Sequence, residues 1–113
     1  MANTFKLKTD ASSTTSLSTV YTVPAATTAI VIGCTLANTS AAAITADIKI
    51  VTDSSSGENG DDVYIVKGAP VPQGGSLEVM SGNKIVLQAA DALQCLASAS
   101  SALDVVLSIM EIT

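Results

Sequence analysis

The chain has no histidine, no arginine and no tryptophan, and its only aromatic rings are Phe5, Tyr21 and Tyr64. Each absence excludes something. Histidine is the commonest general base and transition-metal ligand, so the usual hydrolase, proton-shuttle and zinc chemistries are not expected. Arginine is the usual bidentate reader of phosphate and guanine. Without it, and with five lysines against ten Asp and Glu for a net charge of −5, the surface repels polyanions. Direct nucleic-acid binding is not expected. The shortage of rings leaves little for a sugar or base to stack on. No run approaches the roughly 20 apolar residues of a membrane span, and Met1–Lys6 lacks a signal-peptide core. A soluble chain with no membrane partner is the expectation.

What is present is a strand grammar. The chain has 113 residues, 48% of them apolar, and Ala, Val, Ile and Leu supply almost all of that fraction. Small and β-branched side chains suit thin, tightly packed sheets. The central stretch 21–51 shows the pattern best. Ile30, Ile32, Cys34 and Leu36 share one parity, and after Asn38-Thr39-Ser40 the residues Ile44, Ala46, Ile48 and Ile50 share another. Side chains two apart lie on one face of a strand, so this is a two-strand unit with one buried face.

The same reading extends along the chain. Phe5 and Leu7 alternate with Lys6 and Lys8 in a locally basic arm or edge strand over residues 1–9. A Ser/Thr-rich loop over 10–19 leads into a strand with Leu17, Thr19, Tyr21 and Val23 on one face, ended by Pro24. Residues 52–62 form a long polar loop, followed by a strand over Val63–Lys67 and a turn-rich crossing over Gly68–Gly75. Leu77 and Val79 mark a sixth strand, Ser81-Gly82-Asn83 a tight turn, and Ile85 and Leu87 a seventh strand. Leu93, Cys95 and Ala97 read as an eighth strand in preference to a helical turn. Residues 103–112 form a last strand that is apolar on both faces, as expected of a central strand or one that meets a partner. About nine short strands separated by turns predict a single all-β domain over 10–113, an antiparallel β-sandwich of jelly-roll or immunoglobulin-like topology.

Few candidate sites survive inspection. Cys34 and Cys95 both take inward parity; they read as buried thiols, with a disulfide between facing strands as the alternative. The acidic stretch Asp53, Glu58-Asn59-Gly60-Asp61-Asp62 has oxygen donors but not the EF-hand spacing, and reads as a solvated turn. Asn38-Thr39-Ser40 fits the glycosylation triplet and reads as a turn. No serine or threonine has a histidine base, the lysines fall on solvent parities, and no glycine cluster opens a helix. Neither catalysis, a cofactor nor a metal is expected.

The ordered motifs Tyr21–Pro24 (YTVP), Ala37–Ser40 (ANTS), Tyr64–Pro72 (YIVKGAPVP), Lys84–Asp91 (KIVLQAAD) and Asp104–Ser108 (DVVLS) with Glu111-Ile112 carry a resemblance. Together they resemble small all-β virion structural proteins of tailed bacteriophages, of the marine and cyanobacterial type. The resemblance spans residues 21–112. It implies a structural job, most specifically a capsid decoration (cement) protein assembled in the host cytoplasm. Such a protein would sit on the head exterior, bind the major capsid protein, and associate with sibling copies as a small cyclic oligomer, a trimer above all. The expected contacts are the arm residues Phe5, Lys6, Leu7 and Lys8 and the second face of the last strand, Val106, Met110 and Ile112. The alternative is a tail, neck, baseplate or fibre component facing a receptor glycan, against which the scarcity of aromatics stands.

Overall fold

The computed structural model describes residues 2–13, 15–52, 61–80 and 84–113, and among these there is no helix. Nine strands form: β1 (Asn3–Ser13), β2 (Ser18–Thr22), β3 (Thr28–Asn38), β4 (Ile44–Val51), β5 (Val63–Val71), β6 (Ser76–Glu78), β7 (Ile85–Leu87), β8 (Ala92–Ala97) and β9 (Leu103–Ile112). Pairing is nested about the middle of the chain. β4 pairs with β5, β3 with β6 and β7, β2 with β8, and β1 with β9, all antiparallel. The folded-back ribbon is then rolled, which sets β9 against β3 and β8 against β4. The result is a first sheet of order β1-β9-β3-β6, with β7 also on β3, facing a second sheet of order β2-β8-β4-β5. This is the jelly-roll order, which decides between the two sandwich topologies that the strand count left open.

The core is the space between the sheets. Val31, Leu36, Val105, Leu107 and Ile109 enter it from the first sheet, and Ile48, Leu93, Cys95 and Ala97 from the second, all at 1% exposure or less. In β4, β8 and β9 the inward residues are those that alternation predicts. In β3 and β2 they are not, because each strand carries a bulge. Val31 opposes Ile109 and Gly33 opposes Ser108, so Ile32 is an extra residue on β3. Before it Ala29 and Val31 point inward; after it Cys34, Leu36 and Asn38 do. Ile30 and Ile32 therefore belong to the outer face, a correction to the parity reading, and Ile32 is 38% exposed. Val20 is the extra residue on β2, so Tyr21 and Val23 are buried whereas Leu17 is 37% exposed and Thr19 is exposed.

The crossing expected at 68–75 begins later than expected, because β5 continues to Val71. Two extra residues on β5 accommodate it. Gly68 sits at one, in the left-handed region at φ 66°, and its N–H donates to Asp47 Oδ1 at 2.7 Å. Pro70 is tolerated because β5 is an edge strand and loses no ladder bond there. The Asn38 turn is held from within: its Nδ2 donates to Ala42 O at 2.8 Å and Val71 O at 3.0 Å, and its Oδ1 accepts from Ser40 N at 2.9 Å. That amide is buried and bonded, which agrees with a turn and leaves it no freedom to accept a glycan. The expected Ser81–Asn83 turn lies outside the described residues, as do residues 53–60 of the acidic loop.

Candidate interaction surface

Residues directly opposed in an antiparallel ladder share a face. Phe5 opposes Met110, Leu7 opposes Ser108, Thr9 opposes Val106 and Asn3 opposes Ile112. Since Ile109, Leu107 and Val105 point into the core, these residues point out of the sandwich. Phe5 is 72% exposed and Leu7 64%. The face continues across β9, where Met110 opposes Ile30 of β3, and onto β7, where Ile30 opposes Val86. Phe5, Met110, Ile30 and Val86 thus form one apolar row across four strands. Val106 and Ile112 lie on the same face. The fold therefore gathers Phe5, Leu7, Val106, Met110 and Ile112 on one surface, and adds Ile30, Ile32 and Val86, which the sequence reading did not single out.

Lys6 and Lys8 are not on that surface. They oppose Ile109 and Leu107, so they turn towards the second sheet along the open edge of the sandwich. Lys6 Nζ lies 2.8 Å from Glu111 Oε1, and Tyr21 Oη donates to Glu111 Oε2 at 2.5 Å. Lys8 Nζ stands 5.8 Å from the centre of the Tyr21 ring. Further along β1, Asp10 Oδ2 accepts from Ser18 Oγ at 2.9 Å and from Cys95 Sγ at 3.1 Å. These contacts tie the edge of the first sheet to β2 and β8. Charged residues that face inward on an edge strand also discourage edge-to-edge pairing.

The electrostatics follow from the geometry. The hydrogen bonds from Lys6 and Tyr21 hold the Glu111 carboxyl below the usual carboxylate range. Burial, reinforced by the Glu111 hydrogen bond and charge, pushes the Tyr21 phenol up. Burial pushes the Cys34 thiol up to about 12, with the Glu78 charge adding to it. Cys34 and Cys95 are both buried and not joined in a disulfide, which agrees with the buried-thiol reading.

The opposite surface, the outer face of the second sheet, is charged. Lys67 Nζ lies 3.2 Å from Asp47 Oδ2 and 4.4 Å from the Tyr64 ring centre. Lys49 Nζ lies 5.7 Å from the same ring and 4.0 Å from Asp62 Oδ2. The hydrogen bond to Asp47 raises the Lys67 ammonium above its ordinary range. Among the described residues there is no pocket and no cluster of His, Cys, Asp or Glu able to hold a metal ion. The outer face of the first sheet is thus apolar and that of the second sheet charged.

No protein-family model and no curated protein matches the chain by sequence. Solved structures do match in fold. One is a chain from the Bacillus endospore appendages, described as disulfide-linked pili, with a TM-score of 0.54 at 13% identity over 99% of this chain and 87% of that one. Another is a chain of the T13 IBDV viral particle, with a TM-score of 0.58 at 9% identity over 96% of this chain. This chain spans 30% of the length of that viral one. At such identities the likeness is one of fold.

Proposed function

We propose that this chain is a non-catalytic structural subunit of a virus particle, a decoration protein that binds major capsid subunits and sibling copies on the exterior of a phage head. The observation that carries this reading is the outer face of the first sheet: an apolar row across four strands with no charged side chain at its centre. Contiguous exposed apolar surface on a chain this acidic marks a protein contact, because an isolated monomer gains nothing from it. Phe5, Leu7, Val106, Met110 and Ile112 are the residues of the contact with sibling copies. The charged second sheet faces water and keeps the free subunit soluble before assembly. The ordered phage-virion motifs and the likeness in fold to a viral-particle chain support the same reading.

A fibre subunit is the second reading, because the endospore-appendage likeness covers nearly the whole of both chains. The two cysteines of this chain, Cys34 and Cys95, lie between the sheets at 1% and 0% exposure, so disulfide linkage between copies would require the sandwich to open. The test is copy number in purified particles, measured by quantitative mass spectrometry against the major capsid protein. Decoration requires a ratio near one, or one per few capsid subunits. A ratio of a few per cent assigns the chain to tail, neck, baseplate or fibre, and its absence from particles overturns the virion reading.

A further inference from the structure

The outer face of the first sheet has relief as well as apolar character. Its rows run across the strands. Phe5, Met110, Ile30 and Val86 make a ridge of large side chains. In the next row Leu7 opposes Ser108, and Ser108 opposes the bulge of Ile32 and Gly33, so the surface drops at Ser108 and Gly33, between Leu7 on one side and Ile32 on the other. The row after that, Thr9, Val106 and Thr35, rises again. A Cβ built on Gly33 meets nothing within 4 Å apart from its chain neighbours, so the space beside Gly33 has room for a side chain.

We infer that this ridge and groove receive the same ridge and groove of a second copy of this chain, packed sheet to sheet about a two-fold axis. The inference deepens the structural-subunit reading by naming the occupant of the surface.

Charge selects the occupant. The chain carries −5 overall, so two copies repel wherever charged faces meet. Between Asn3 and Thr9 on β1, Val106 and Ile112 on β9, and Thr28 and Thr35 on β3, the outward positions carry no charge. Glu78, Asp104 and Lys84 lie at the rim. A partner chosen by opposite charge would find nothing to read there, whereas a second copy meets no like charge. Area agrees. At about 4.8 Å per strand and 3.4 Å per residue, β1, β9, β3 and the β6/β7 edge make a face on the order of 700 Å². A standard specific interface covers roughly 800 Å² per partner. An apolar centre with a rim of Asn3, Thr28 and Thr35 also has the usual interface anatomy. Self-complementary packing of one patch on itself closes at two subunits, and aligned sheets stack face to face in this way.

Sedimentation velocity of the isolated chain, from low micromolar to millimolar concentration, tests this. The expected result is a reversible monomer–dimer equilibrium that tightens as salt rises, because screening removes the acidic repulsion and leaves the apolar contact. Gly33 is outside the left-handed region and has room for a side chain beside it, so Gly33→Leu keeps the fold while filling the groove. Gly33→Leu and Phe5→Lys should each raise the dimer Kd on the order of tenfold or more. Thr22→Lys, exposed on the second sheet, should leave it unchanged, and circular dichroism checks that every variant is folded. A chain that stays monomeric throughout, a closed trimer, or a dimer broken by Thr22→Lys but not by Gly33→Leu would each overturn the inference. Particle copy number tests the structural-subunit reading separately, so either can fail without the other.

Discussion

Glu111 is 5% exposed and accepts from Lys6 and Tyr21 on two different strands. A nearly buried carboxylate is stable only while both donors remain. Tyr21→Phe removes one of them and should lower unfolding free energy at neutral pH by about 1.5–3 kcal/mol, read from urea denaturation. The pH dependence has a definite sign. Glu111 and Glu78 are both held below the ordinary range, Glu78 chiefly by the Thr35 hydroxyl. Their contribution is complete above about 4.3 and is lost as pH falls through the folded values. Cys34 is raised, so its contribution is complete below about 8.5 and is lost as pH rises towards its folded value. Tyr21 and Lys67 are also raised and add to the alkaline loss. The urea midpoint should therefore plateau between about pH 5 and 8 and fall on both sides, with a shallower acid limb in Glu111→Gln. A midpoint that keeps rising below pH 4 would contradict the Glu111 geometry.

At the scale of the element, the bulges decide which residues are core. One extra residue reverses the parity of everything beyond it. Leu36→Ala, after the β3 bulge and fully buried, should cost about 2–5 kcal/mol. Ile32→Ala removes a side chain of the same four carbons, yet it should stay within about 1 kcal/mol in the monomer, because that side chain lies on the surface. Equal costs in denaturant titrations would place Ile32 in the core and remove the bulge. Much of β4, β8 and β9 was legible in the sequence, since their alternation runs unbroken. β3 and β2 were legible only in part, because an inserted residue leaves no mark on composition. Ile32 looks as apolar as Ile48.

For the whole molecule, nested pairing has a kinetic consequence. β1 closes on β9 from the far end of the chain, and β3 touches β9 only after the ribbon has rolled. Such non-local contacts repay loop-closure entropy late. Refolding followed by stopped-flow fluorescence of the tyrosines should fall in the millisecond-to-second range, with no microsecond phase carrying the main amplitude. The same rolling assembles the interaction surface. Phe5 and Met110 are separated by almost the entire chain and end side by side, with Ile30 and Val86 completing the row.

Composition and alternation were sufficient for the all-β class, the strand count and the inward cysteines, because each depends on local preference and period-two burial. The two-sided apolarity of residues 103–112 was visible for the same reason: a strand carries both faces in one stretch. Tertiary structure decided the rest. Whether Lys6 and Lys8 or Phe5 and Leu7 face outward on β1 is set by register with β9, since alternation distinguishes the two faces of a strand without saying which one is inside. Pairing with buried Glu111 and the ring of Tyr21, both distant in sequence, turns the lysines towards the second sheet along the open edge and leaves the apolar residues on the outer face.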